Sequence, residues 1–386
     1  MKGLGFKIQG SDISKNKNIL KKINLHSISL CIALPLIIIA VFVINHGHLA
    51  ISGLLLITFF GLLALGFSGY ESLKGYVFTT MIFAGVTAAL FYPEHFIQIG
   101  DFKVTTLIIP LIQIIMFGMG TSMSLNDFAS IFKSPKGVMI GVTAQLGIMP
   151  IIGFILAKIS SFPPEIAAGI VLIGCSPSGV ASNVMAYLAK ANLALSITIT
   201  SIATLIAPFI TPLLMSLLAG EFIEIDIFAM MWSIIKMIII PIGSGLLFNK
   251  LRGNGVKWLD KALPVVSMLA IGIIITIITA SGRDSLLEIG GVLMILVLIH
   301  NIFGYLLGYW YARIFNLAKQ DARTIALEVG MQNGGLASGI ANSLGKIATM
   351  GLASAVFSPL MNITGSILAS YWDKRPLDQK EKDDYL

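Results

Sequence analysis

Twelve apolar stretches follow one another along the chain, near residues 28–45, 50–68, 75–92, 104–119, 137–157, 166–189, 193–219, 227–248, 264–280, 289–311, 323–346 and 349–371. Most approach the roughly 20 residues that a helix needs to cross a bilayer. The connections between them are short, so the pattern predicts an all-α polytopic membrane protein of twelve spans. Two of the stretches resist a continuous helix. Residues 166–189 carry Gly174-Cys175-Ser176-Pro177-Ser178-Gly179 in mid-span, where Pro177 removes a backbone donor and clashes with the preceding turn. Residues 323–346 carry Gly330, Gly334, Gly335 and Gly339 around Met331-Gln332-Asn333, with Glu328 just before the break. Carbonyls freed at such breaks find no partner in lipid and must be met by protein, ions or water.

These broken stretches are the sixth and the eleventh spans. An offset of five reverses the direction of crossing, so spans three to seven and eight to twelve form two inverted five-helix repeats, the arrangement that brings broken helices together near the midplane. Spans one and two then form an addition at the N-terminal side, even in number and neutral for topology. The chain divides accordingly into a basic N-terminus (1–26), two additional transmembrane helices (27–70), a ten-helix domain with a core and a panel (71–372) and a tail (373–386).

Composition sharpens the picture. Hydrophobic residues make up 56% of the chain and charged residues 12%, about half the charge of a soluble domain, which leaves little soluble mass. The net charge of +7 raises the question of nucleic acid, but its placement answers it. With the N-terminus inside, 21 of the 26 lysines and arginines fall on inside segments. Lys103, Lys158, Arg283 and Lys346 fall outside, and Lys236 lies within a span. That bias follows the positive-inside rule; it excludes nucleic acid as the reason for the charge and places both termini in the cytoplasm of a multi-pass protein of the cell (inner) membrane. The first span runs about 18 residues without a small-x-small cleavage site after it, and reads as an uncleaved anchor rather than a signal peptide. Cys31 and Cys175 both fall in apolar segments and make no disulfide framework.

Glu328 is the focus of the chemistry, because an ionisable residue inside a span is costly and is kept for function. Small hard cations such as Na⁺ take oxygen ligands, and the spans supply them in few places. Gln332 and Asn333 follow Glu328 at one break, and Ser182 and Asn183 follow the other. Ser196 and Thr200 share a face of span seven, Gln145 is a lone amide in span five, and unwound backbone at Val329 and Met331 offers carbonyls. Plainer explanations stand beside these. Ser196 and Thr200 suit helix packing or back-bonding, the Gly-x-x-x-Gly spacings suit close packing, and Gln145 suits a helix-to-helix bond. For Glu328 the plainer role is a buried ion pair, with Lys236 as the candidate partner.

Glu328-Val329-Gly330-Met331-Gln332-Asn333-Gly334-Gly335-Leu336-Ala337 resembles the signature of the bile acid:sodium symporter (BASS) family. So do Met116-Phe117-Gly118-Met119-Gly120, the segment around Gln145, Ser182-Asn183-Val184-Met185 and Ala194-Leu195-Ser196. The resemblance covers roughly residues 75–372 in the right order. It implies a ten-helix fold of core and panel domains, alternating access, and two sodium sites. By this resemblance one site uses Ser182, Asn183, Ser196, Thr200 and Glu328, and the other uses Gln145, Glu328, Val329, Met331 and Gln332. Relatives often read Pro-Gly-Gly-Thr at the first break, where this chain has Pro177-Ser178-Gly179-Val180, and Met361 precedes Asn362 where a polar or aromatic residue is common. The expected cargo is a small or amphipathic organic anion, such as a small carboxylate or a bile-acid-like compound, held near Ser178, Asn183, Asn333 and Asn362, with helix N-termini facing its carboxylate.

Other classes stay open at this point. A proton-coupled or exchange carrier would use Glu328 as a proton site. A ligand-binding membrane sensor would need an output domain larger than the tail after Trp372. An intramembrane enzyme is disfavoured, since the chain has no His-x-x-x-His pair, no paired catalytic aspartates and no Gly-x-Ser-x-Gly elbow; His300-Asn301 reads as a packed polar pair. No feature of the sequence points to a protein partner.

Overall fold

A computed structural model describes residues 25–70, 73–123, 135–252 and 257–375. The basic N-terminus up to residue 24, Lys133 and the tail beyond Arg375 lie outside the described residues, so the roles expected of them concern the sequence alone.

The chain separates into two compact units, residues 1–84 and 85–386. In the first, α1 (Leu25–Asn45) and α2 (Leu49–Ser68) form an antiparallel hairpin. It turns at Gly47, whose φ of +82° suits a residue without a Cβ. At the other end His26 Nδ1 lies 2.7 Å from Leu65 O, and Ser27 Oγ lies 2.9 Å from Tyr70 OH. The third span, α3 (Val77–Phe91), contains the division between the units.

After α3 come a one-turn α4 (Glu94–Ile97) and a hairpin of β1 (Gln98–Ile99) and β2 (Phe102–Lys103). The spans then continue with α5 (Ile108–Ser122) and α6 (Pro135–Ile159). The sixth span is two helices, α7 (Pro164–Cys175) and α8 (Val180–Leu188), and the seventh is α9 (Leu193–Ala219). The eighth comprises α10 (Ile227–Ile234), a π-helical turn (Ile235–Ile239) and α11 (Ile240–Arg252). The remainder are α12 (Lys257–Ser281), α13 (Arg283–Ile314), the pair α14 (Lys319–Gly330) and α15 (Gly334–Ser343), and α16 (Gly351–Asp373). Among the described residues ten helices are long and apolar enough to cross a membrane. With the two broken pairs they account for all twelve apolar stretches.

The helices run past the apolar stretches where polar residues continue the same turns: α12 starts at Lys257 and α13 at Arg283. The π-helical turn precedes Pro241, which has no N–H to offer the turn before it. Gln113 Nε2 donates to Lys236 O there, at 3.2 Å.

The half-helices α7 and α14 lie at the centre of the second unit. Every residue from Ile166 to Cys175 and from Ala322 to Gly330 is buried, as expected where protein rather than lipid surrounds a helix. Their ends are tied at both extremities. Glu165, in the first turn of α7, pairs with Lys346 and accepts a bond from Thr349 Oγ1 at 2.5 Å. At the opposite extremity Asn192 caps α9 through Leu195 N at 3.1 Å. It also donates to Asp321 Oδ1 at 2.8 Å, and its backbone N–H donates to Thr324 Oγ1 at 2.8 Å.

Helices in lipid associate through close contact of small residues, and α5 against α11 shows the principle. A Cβ on Gly120 would sit on Ile242 O, and one on Gly245 would sit on Phe117 O. Gly120→Ala or Gly245→Ala must therefore push the two backbones apart, at about 1–3 kcal/mol each. Gly147, with nothing within 4 Å of a Cβ, serves as the control. Thermal melts in detergent should show a lower midpoint for the first two variants, with Gly147→Ala at or above the parent.

Candidate functional site

The first break begins where Ser176, pushed out of the helical region by the proline after it, takes φ −77° and ψ 147°. The second begins at Met331, with φ −115° and ψ 98°. The two breaks meet each other. Ser178 and Gln332 form an antiparallel bridge, in which Gly179 N–H donates to Met331 O at 3.0 Å and Asn333 N–H donates to Pro177 O at 2.8 Å. Other freed carbonyls are met by side chains from neighbouring spans. Thr211 donates to Cys175 O at 2.9 Å, Gln145 to Ser176 O at 3.1 Å, and Asn301 to Gly330 O at 2.7 Å. Gln332 Nε2 closes the set on Val329 O at 2.7 Å. Backbone buried away from water needs such partners, and here they are found without a continuous helix.

Glu328 lies one turn before the second break and has no solvent exposure. Four hydroxyls surround its carboxylate. Ser182 Oγ and Ser196 Oγ are each 2.6 Å from Oε1, while Ser178 Oγ and Thr200 Oγ1 are 2.6 and 2.7 Å from Oε2. They come from the first break and the helix after it (Ser178, Ser182) and from one face of α9 (Ser196, Thr200). Glu328 makes no ion pair among the described residues. Lys236 is elsewhere: it is exposed, and its Nζ lies 5.2 Å from the centre of the Trp232 ring, one turn toward the start of its span. This is how a lysine snorkels along an apolar face, and the ion pair weighed for Glu328 is not formed.

The site is rich in oxygen and short of protons. A serine hydroxyl has one proton and two lone pairs. Ser182 Oγ nevertheless lies 2.8 Å from Gly179 O as well as against Glu328, and Ser196 Oγ lies 2.8 Å from Asn183 Oδ1 as well as against Glu328. Each has two acceptors for its single proton. A second deficit lies beside it. Gln145 Nε2 donates to Gln332 Oε1 at 2.8 Å, while Gln145 Oε1 is buried with no partner.

The structure thus gathers Ser178, Ser182, Asn183, Ser196, Thr200 and Glu328 into one cluster, and Gln145, Gln332 and the Val329 carbonyl into an adjoining chain of hydrogen bonds. Met331 contributes its carbonyl to the bridge between the breaks. Asn333 is 8% exposed and caps α15 by accepting from Leu336 N at 3.0 Å. Asn362 stays with its own helix, donating to Ser358 O at 2.8 Å, and is not in the cluster. Ser178, grouped with the cargo in the sequence, sits on Glu328. Sequence reasoning did not find Asn301, Thr364 and Tyr305 as supports. Thr364 donates to Asn301 Oδ1 at 2.6 Å and its hydroxyl lies 3.2 Å from Tyr305 OH, which hold the Asn301 amide against Gly330. A lone asparagine in mid-span was the available signal. His300, its neighbour, lies 2.9 Å from Met149 O through Nε2 and packs edge-on to Phe357.

Comparison with known proteins identifies the family. Residues 109–289 match the model of the sodium bile acid symporter family. The chain is 40% identical, over 70% of its length and 84% of the relative's, to a Bacillus subtilis (strain 168) protein named "uncharacterized sodium-dependent transporter". It is 31% identical to an Arabidopsis thaliana chloroplast protein named "probable sodium/metabolite cotransporter", over 70% of this chain and 67% of that one. A rice (Oryza sativa subsp. japonica) protein of the same description is 29% identical, over 78% and 74%. On these matches the chain, with its two broken helices and its buried Glu328, belongs to the sodium bile acid symporter family.

Proposed function

We propose that the protein is a sodium-coupled symporter that imports an organic anion by alternating access, and is not an enzyme. The observation that carries the proposal is the proton-poor oxygen cluster around an unpaired, fully buried carboxylate. Burying a charge without compensation costs far more than one hydrogen bond returns. A small monovalent cation meets both needs, because it neutralises Glu328 and accepts the lone pairs of the hydroxyls and of Asn183. The family to which the chain belongs and the names of its relatives support sodium as that cation.

In this reading one sodium ion is held by Ser182, Asn183, Ser196, Thr200 and Glu328. A second is held by Gln145, Glu328, Gln332 and the carbonyls of Val329 and Met331, each of which keeps a second lone pair after its hydrogen bond. The orphaned Gln145 Oε1 supports that second site. The anion lies toward Asn183, Asn333 and Asn362. The back-to-back joining of the breaks supports the inverted repeat of spans three to seven and eight to twelve, with residues 71–372 as the transporter domain and residues 27–70 as an addition. The placement of lysines and arginines supports cytoplasmic termini and the cell membrane.

In purified protein, sodium at a hundred times its dissociation constant should stabilise the fold by about 2.7 kcal/mol. The thermal midpoint should rise in sodium against equal choline or potassium, and Glu328→Gln should abolish the rise. A well-folded parent protein with no sodium response, but with pH-dependent stability, would replace sodium by a proton.

Two sodium ions with one monovalent anion carry one net charge, worth about 2.3 kcal/mol per 100 mV. Proteoliposomes supplied with a transported monovalent anion should therefore show an inward current that requires sodium and grows as the interior is made more negative. Uptake without current would rule out a two-to-one ratio.

A further inference from the structure

Ser178 has a place in the site that the family resemblance does not assign. It stands in the unwound segment itself, 1% exposed. Its backbone is held on both sides by the bridge to Gln332 and its hydroxyl lies 2.6 Å from Glu328 Oε2. That hydroxyl is 3.4 Å from Thr200 Oγ1, while Ser182 Oγ is 3.5 Å from the same atom. Two oxygens that share one ion at ~2.4 Å and at a right angle lie ~3.4 Å apart, using the oxygen distances of calcium, an ion close to sodium in size. Ser178, Thr200 and Ser182 are thus spaced as neighbours on one small cation.

The single hydroxyl proton points in the same direction. With that proton on Glu328 Oε2, the Ser178 hydroxyl has only lone pairs to offer any third group. Lone pairs attract a cation and repel a carboxylate. The position suits an ion ligand and does not suit a contact with an anionic cargo.

We propose that Ser178 is a ligand of the coupling ion at Glu328, adding a fourth hydroxyl to the site and setting its preference for sodium over smaller cations; the assignment rests on the sodium reading above. Because the same residue forms the bridge between the breaks, ion occupancy acts directly on the junction of the two broken helices through one side chain and its own backbone. Lithium, smaller than sodium, makes do with fewer oxygens, as magnesium does beside calcium. Loss of the Ser178 hydroxyl should therefore penalise sodium more than lithium.

The test is a titration of thermal stability with sodium and, separately, with lithium, on the purified full-length protein and on Ser178→Ala and Ser178→Gly. The quantity read is the dissociation constant of each cation, obtained by fitting the logarithmic rise of stability with cation concentration, which does not depend on how stable each variant is without the ion. Both variants should show a sodium dissociation constant raised about tenfold, with the lithium-to-sodium ratio of dissociation constants falling at least threefold. Dissociation constants equal to the parent's in both variants would overturn the ligand role while leaving the sodium reading intact. An equal rise for both cations would make Ser178 a packing residue and overturn its role in selectivity. A parent protein with no response to sodium would overturn the sodium reading, and the role of Ser178 with it.

Discussion

Lipid offers no hydrogen bonds, and a membrane helix that stops halfway must find partners for its open backbone within the protein. This protein stops two helices halfway. The solution is mutual, since the segment at Pro177–Gly179 and the segment at Met331–Asn333 bond to each other as a minimal antiparallel ladder. Thr211, Gln145 and Asn301 complete it from three further helices. These contacts dictate which spans must be neighbours: α6, α9 and α13 are held to the breaks by polar bonds that have no substitute in lipid.

The ladder also sets the chemistry. It places Ser178 and Ser182 on one flank of Glu328, while α9 places Ser196 and Thr200 on the other. Hydrogen bonds to a charged group contribute about 1.5–3 kcal/mol each, so four of them hold a carboxylate in the interior without a basic partner. They do not neutralise it, and they leave hydroxyl lone pairs and the Asn183 oxygen facing inward. A site of this kind is satisfied as a protein fold and unsatisfied as an electrostatic system, which is the feature on which the proposed sodium site rests.

Polar links tie the extremities of the broken helices as well: Glu165 to Lys346 and Thr349 at one end, Asn192 to Asp321 and Thr324 at the other. Between these ties α7 and α14 are buried almost throughout. The cluster around Glu328 therefore sits in a well-enclosed region of the second unit, on backbone that is irregular but well bonded. Glycines let the surrounding helices come close, as Gly120 and Gly245 do between α5 and α11.

The number of spans, the location of both breaks and the presence of a carboxylate, Glu328, inside a span were legible in the amino-acid sequence, because each depends on local composition. Twenty apolar residues span a bilayer wherever they pack, Pro177 interrupts its own helix, and a carboxylate in mid-span is costly in any fold. The chemical partners of Ser182, Ser196, Thr200 and Gln145 were legible only through resemblance to a family. Tertiary structure alone decided the rest. Lys236, a plausible partner for Glu328 by sequence, lies back along its own helix over Trp232, because its face of the span is the exposed one. Ser178, adjacent in sequence to the break, turns its hydroxyl to Glu328, 150 positions away. Asn301 is bound to Gly330 O by a bond that no local pattern announces. Local sequence determines where a helix must stop; which groups meet the open ends depends on how distant spans are brought side by side.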